Sequence, residues 1–123
     1  MSTVKDIMST SLTIVEPEST LGKAATLMGE RAIGSVLVVE DGRLTGILTE
    51  RDVVRALSTT HDAPTSVVAE WMTKGPTTTG RETPVKEALR AMMDGGFRHL
   101  PVLDGDSIVG IVSIRDVAGA LAD

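Results

Sequence analysis

Two segments carry a hydroxyl, an arginine and a carboxylate in the same order: Gly46-Ile-Leu-Thr-Glu-Arg-Asp52 and Gly110-Ile-Val-Ser-Ile-Arg-Asp116. Each falls where a short apolar run gives way to helical periodicity. A helix start has unpaired N–H groups and the positive end of the dipole, which suit a phosphate. There the Thr49 or Ser113 hydroxyl can bond a ribose or phosphate oxygen. The Asp52 or Asp116 carboxylate can accept two hydrogen bonds from a ribose diol. Gly46 and Gly110, on the preceding strand, allow close approach of another backbone or of a ligand. Arg51 and Arg115 can contact phosphate, although arginine in a helix's first turn is more often a solvated surface residue. The same spacing has a purely structural use, because Thr or Ser followed three residues later by an acid is an N-terminal capping pattern. On these residues alone both readings stand.

The elements that position these residues come from a unit written twice. At an offset of 64, residues 3–59 and 67–123 are identical at 14 of 57 positions, where ordinary residue usage gives about four. Each copy opens on a short amphipathic segment (Val4 to Met8; Val68 to Met72) and continues through a polar, Thr-rich stretch able to pair as a short strand. A helix follows, with Ser19 or Thr83 expected at the N-cap and Pro84 at the first helical position. Leu21, Ala24, Ala25 and Met28 have the spacing of one buried helical face, and Gly95-Gly96 closes the second copy's helix. Val36 to Val39 and Leu44 to Leu48 flank the turn Glu40-Asp-Gly-Arg43, and Leu100 to Leu103 and Ile108 to Val112 flank Asp104-Gly-Asp-Ser107, so each copy predicts a hairpin. A last helix starts at Glu50 or Ile114 and is expected to bury Val53 and Leu57, or Val117 and Leu121.

The order is therefore β-α-β-β-α twice, an α+β fold with residues 1–60 as the first domain, 61–66 as a polar connecting loop and 67–123 as the second domain. A half of under 60 residues has trouble burying its apolar faces alone. Two near-equal copies pack most simply about a pseudo-two-fold axis, which predicts sites in pairs.

Composition narrows the chemistry. A net charge of −5 and pI near 5.0 argue against a general nucleic-acid surface, and Trp71 and Phe97 are the whole aromatic complement, too few for a stacking platform. With no cysteine, thiolate metal sites and cysteine nucleophiles are excluded. His61 and His99 lie too far apart, without an acidic cluster, to suggest a metal site. No eighteen-residue apolar run is present, and Met1-Ser-Thr-Val-Lys-Asp6 has no secretory pattern, so a cytoplasmic location is expected. No nucleophile elbow, zinc-protease helix, Walker loop or dinucleotide fingerprint occurs; the expectation is a binding module, not an enzyme.

The repeated Gly-apolar-x-(Thr/Ser)-x-x-Asp segment, the β-α-β-β-α order and the strand Leu100-Pro-Val-Leu-Asp104 resemble the CBS domain, named after cystathionine β-synthase. The resemblance covers nearly the whole chain. It implies a Bateman module, a domain pair that binds AMP, ADP, ATP or S-adenosylmethionine in inter-domain clefts and has a regulatory, energy-sensing role. By position Thr49, Asp52, Ser113 and Asp116 inherit the ribose contacts. Adenine contacts would fall on Thr13 to Val15 with Ile33 and Gly34, and on Thr77 to Thr79 with Phe97, although an apolar residue before a strand, as Ile33 and Phe97 are, is equally a core residue. Arg98-His99 stands where the nucleotide-sensing subunit of AMP-activated protein kinase carries a basic pair; its counterpart Gly34-Ser35 would leave the first site poorer in positive charge. The resemblance also implies a homodimer and a regulated partner protein, with no cofactor and no metal. A ligand-free dimerisation scaffold is the rival reading.

Overall fold

A computed structural model describes residues 2–122. In chain order the elements are helix α1 (Val4–Ile7), strand β1 (Ile14–Val15), α2 (Leu21–Arg31), β2 (Ser35–Glu40), β3 (Arg43–Thr49), α3 (Glu50–Thr59), β4 (Thr73–Lys74), β5 (Thr79–Gly80), α4 (Val85–Gly95), β6 (His99–Asp104), β7 (Ser107–Ser113) and α5 (Ile114–Leu121), with 3-10 turns at Ala63–Thr65 and Val68–Glu70. Both copies thus have the expected β-α-β-β-α order.

The chain forms two compact units that exchange the openings of the two repeats. One unit is Thr13–Pro76; the other joins Met1–Leu12 to Thr77–Asp123. In the first, the sheet order is β1-β2-β3-β4, with β1 parallel to β2 and the other pairs antiparallel. The strand that completes its edge, β4, follows the opening segment of the second repeat. In the other unit, β5 runs parallel to β6 and β6 antiparallel to β7, while the Ser9–Ile111 bridge places the end of the first repeat's opening segment on the outer edge of β7. Helix α1 joins it through Val4 N–H to the Thr83 carbonyl (2.8 Å) and Lys5 N–H to the Arg81 carbonyl (2.9 Å). Asp6 closes this short helix by accepting from the Thr3 amide at 2.9 Å, and that bond holds its carboxyl below the ordinary range.

Each unit has its own core. Leu21, Ala24 and Met28 of α2 pack with Val36, Val38 and Leu48 of the hairpin and with Ala56, Ala63 and Val68. Val85, Ala88 and Met92 of α4 pack with Leu100, Val102, Val112 and Val117, and with Val4 from α1. Both hairpins carry a bulge after their second pair of core residues, at Val38/Val39 and Val102/Leu103. Asp41 and Gly42 both take positive φ at the first turn, the combination a two-residue hairpin with right-twisted strands requires.

Several local expectations are corrected. Thr20, not Ser19, caps α2 through its hydroxyl, and Pro84 is itself the N-cap position of α4. Ser19 and Thr83 play a different part, each hydroxyl accepting the N–H three residues earlier, from Glu16 (3.0 Å) and Gly80 (3.2 Å). Leu57 and Leu121 are exposed, at 57% and 41%; in α3 Asp52 and Ala56 take the inward stripe, and Leu57, one place further on, has rotated off it. The polar connector is not a bare loop. Ala63 lies in the core, and the Ser66 carbonyl accepts from Leu21 N–H at 2.8 Å.

Candidate functional site

In the Thr13–Pro76 unit one sheet edge gathers the chemistry. Ser35, where β2 begins, pairs with Thr49, where β3 ends, and the first amide of α3, on Glu50, donates to the Gly34 carbonyl at 3.0 Å. Parallel pairing brings Thr13 alongside, its carbonyl accepting from Leu37 N–H at 3.0 Å. Thr13, Gly34, Ser35, Thr49 and Asp52 therefore lie together. Ile33 is half-buried against the core, and Val15, 3% exposed, is a core residue whose side chain is not at this edge.

Thr49 and Asp52 form a full capping box. Asp52 Oδ2 accepts from Thr49 N–H (2.9 Å) and from its hydroxyl (3.1 Å), and Thr49 Oγ1 accepts from Asp52 N–H (3.4 Å). The other carboxylate oxygen, Oδ1, accepts from Arg55 Nη2 at 3.2 Å. The same guanidinium donates to the Trp71 carbonyl at 3.0 Å and lies 5.2 Å from the centre of the Trp71 ring, within cation–π range. The buried Trp71 indole N–H has no hydrogen-bond partner among the described residues.

The second edge repeats the frame with different occupants. His99 pairs with Ser113, and Ile114 N–H donates to the Arg98 carbonyl at 2.8 Å. Asp116 Oδ2 accepts from Ser113 N–H at 2.8 Å, and Ser113 Oγ accepts from Asp116 N–H at 3.1 Å. Asp116 forms no ion pair among the described residues, since Gly119 stands three residues on where the first copy has Arg55. Thr77 is exposed and Thr79 half-buried, paired with Val102. Pro101 occupies the place of Leu37 and has no N–H to give, so the bond that ties Thr13 to its neighbouring strand has no counterpart at Thr77. Phe97 is half-buried against the core and covers Gly95, where a Cβ would meet its ring. His99 is half-buried, and Arg98 and Arg115 are exposed. Arg98 forms no ion pair among the described residues; Asp104 stands at the far end of β6 and is held by Arg81 at 3.3 Å.

Sequence reading missed Arg31, Arg55 and Trp71. Arg31, in the last turn of α2, donates to Thr13 Oγ1 at 2.9 Å. The first edge is therefore not poorer in positive charge: Arg31 and Arg55 stand where the second copy has Gly95 and Gly119. The two edges differ in their arginines: Arg31 and Arg55 are engaged by Thr13 and Asp52, while Arg98 forms no ion pair among the described residues. The Arg55–Asp52 pair is readable as an i, i+3 contact, but Arg55 falls outside the repeated motif. Gly46 does admit a close neighbour, and that neighbour is protein: a Cβ there would lie 2.6 Å from Met72 Sδ and 2.9 Å from the Thr73 carbonyl oxygen. Gly110 stands in the same relation to Met8 and Ser9. Among the described residues no group of three or more His, Cys, Asp or Glu is placed to hold a metal, and no helix is long and apolar enough to cross a membrane.

Comparison with known proteins agrees with this architecture. The CBS domain-containing protein YhcV of Bacillus subtilis is 36% identical over 96% of this chain and 84% of its own. The CBS-domain containing protein ATU1752 from Agrobacterium tumefaciens superposes with a TM-score of 0.93 at 32% identity, covering 98% of this chain and 99% of that one. The CBS domain pair of protein MJ0100, solved in complex with methylthioadenosine and S-adenosyl-L-methionine, gives a TM-score of 0.90 at 26% identity over 98% and 96% of the two chains. The family model for the CBS domain matches residues 4–59 and again 68–123, and the chain belongs to the CBS-domain family as a tandem pair.

Proposed function

We propose that this chain is a stand-alone regulatory module that binds an adenosine-containing ligand (AMP, ADP, ATP or S-adenosylmethionine) at its strand-to-helix turns and signals to a partner protein, with no catalysis of its own and a cytoplasmic place of work. The observation that carries this reading is the repeated turn itself. Twice a hydroxyl and a carboxylate are held at a helix start, and at Ser113/Asp116 the carboxylate keeps an oxygen unengaged by the described residues. The CBS pair of MJ0100, which binds two adenosine derivatives, supports the ligand class. Arg98, exposed and without an ion pair among the described residues beside that turn, suits the phosphate of a nucleotide, since a guanidinium can bond phosphate in a bidentate way. A ligand that binds one arrangement of the chain better than another shifts the population between them, and a partner reads the shift. The apolar residues exposed on α3 favour a homodimer.

Calorimetry with adenosine, AMP, ATP and S-adenosylmethionine tests the reading. Asp116→Asn should weaken binding about 10- to 150-fold, the range for a hydrogen bond to a charged group. Arg98→Ala should reduce the preference for AMP over adenosine at low salt, a preference that itself shrinks as salt rises. No binding of any of the four to the parent protein would leave the ligand-free scaffold in its place.

A further inference from the structure

The two carboxylates at the repeated turns do not have the same capacity left. An ionised carboxylate offers about four acceptor positions. Asp52 uses three: both Thr49 donors on Oδ2 and Arg55 on Oδ1. Asp116 uses one, the Ser113 amide. A ribose diol brings two donors. It fits Asp116 as that residue stands, and it fits Asp52 only after something lets go. The Thr49 amide cannot leave without opening the helix start, and the Thr49 hydroxyl, which can turn away, frees a position on Oδ2 alone and leaves Oδ1 held. Arg55 can leave, because its side chain is 55% exposed and belongs to no backbone hydrogen bond of the helix.

We propose that Arg55 is the specificity-determining residue of the pair: it occupies Asp52 as an internal competitor, keeps the first turn the weaker site, and leaves Ser113/Asp116 as the site filled first. This rests on the nucleotide-binding reading above and adds which of the two sites is open and why. Arg55 is well placed to compete. Its guanidinium is held at three points, by Asp52, by the Trp71 carbonyl and by the face of the Trp71 ring. A nucleoside that reaches Asp52 must break at least the first of these. The second copy has none of the apparatus, with Gly119 for Arg55 and Ile7 for Trp71. The competition is reportable from within, because Trp71 is the single tryptophan of the chain and the departure of a cation from its face changes its fluorescence.

The test uses two exchanges between the copies. Arg55→Met keeps the apolar stem over Trp71 and removes the charge and the donors. Gly119→Arg installs the competitor at the other turn, where a Cβ meets nothing within 4 Å and the i, i+3 spacing to Asp116 is the same. Calorimetry with adenosine on the parent should show one stronger and one weaker step, the weaker reduced further by Asp52→Asn and the stronger weakened about 10- to 150-fold by Asp116→Asn. Arg55→Met should strengthen the weaker step about ten-fold, and Gly119→Arg should weaken the stronger step by a smaller factor, since Ile7 offers no aromatic face to hold it. Salt adds a signature that packing alone would not produce. Adenosine is neutral and the Arg55–Asp52 pair is partly exposed, so raising salt should loosen the pair and strengthen the weaker step in the parent, with no such trend in Arg55→Met. Trp71 fluorescence of the parent should move with that step, and the Arg55→Met protein should lack the change. Unaltered steps in Arg55→Met, with a parent-like melting temperature, would overturn the role of Arg55 while leaving nucleotide binding intact. Absence of binding in the parent and in Arg55→Met alike would overturn both readings.

Discussion

Asp52 and Asp116 occupy the same place in the repeat, and their surroundings give them different balances of duties. Asp52 closes a full capping box and neutralises Arg55, with its side chain 12% exposed. Asp116 closes the same capping box at Ser113 and forms no ion pair among the described residues. Asn in place of each should therefore produce crossed effects. Asp52→Asn is expected to cost about 1 kcal/mol of stability through its cap and the helix dipole, a fall in melting temperature of roughly 3–5 °C for a chain of this size, with a small effect on overall nucleoside affinity. Asp116→Asn weakens an equivalent cap but breaks no ion pair, so it should melt nearer the parent, and it should lose most of the affinity. Thermal melts and calorimetry on the same two proteins read the crossing, and equal losses of affinity in both would contradict it. The shared geometry of the neighbouring glycines gives a second residue-scale expectation. Gly46→Ala puts a Cβ 2.9 Å from the Thr73 carbonyl oxygen, a backbone atom of the paired strand β4 that cannot rotate away. An overpacking cost of about 1–3 kcal/mol follows, and Gly110→Ala should match it against Ser9. Affinity should be spared in both, since the space is filled by protein. A glycine kept for ligand approach would show the reverse, with affinity lost and stability kept.

Element order was legible because its signals are local. Apolar runs of four or five around an Asp-Gly turn, and Leu21, Ala24 and Met28 at helical spacing, are readable without knowing what they touch. The starts of α3 and α5 at Glu50 and Ile114 were legible for the same reason, since Thr49 and Ser113 announce them. The exchange of openings between the repeats was not legible. Nothing in Val4 to Met8 says whether its apolar side lies on the hairpin that follows it or on the one about 100 residues later, because both hairpins offer a glycine, Gly46 or Gly110, at the same place in the strand. The exposure of Leu57 is not readable from spacing, because α3 turns Asp52 and Ala56 inward while α5, with the same capping box, turns Val117 inward. The position of α1 has a measurable consequence. Val4 is fully buried in the core of the unit that contains residues 77–122. Val4→Ala should cost about 1–3 kcal/mol, and hydrogen exchange should show the loss of protection in α4, β6, β7 and α5. Loss confined instead to α2, β2 and β3, the elements nearest in sequence, would refute that placement of α1.

For the molecule as a whole, what is left on the surface decides how copies meet. Helix α3 buries Asp52 and Ala56 and leaves Val54 and Leu57 exposed at 63% and 57%. These two are three residues apart and so share a face. Leu121 of α5, also exposed, occupies the same repeat position as Leu57, so each copy of the repeat brings a leucine to the outside of its last helix. Burying one such side chain is worth about 1.5–3 kcal/mol. A two-fold axis joins a patch to its own image, and a helix face carrying Val54 and Leu57 against the same face of a second copy buries four such groups at once. The net charge of −5 opposes association only over a screening length of about 8 Å at physiological salt, so dimerisation should strengthen as salt is raised. Sedimentation is expected to report a dimer at micromolar concentration. Leu57→Glu places a charge at the centre of the apolar face and should give a monomer; because the side chain is exposed in the single chain, its monomer should retain the fold, seen as an unchanged circular dichroism spectrum. A parent protein that sediments as a monomer throughout the micromolar range, with and without nucleotide, would show that Val54 and Leu57 are not a self-association surface.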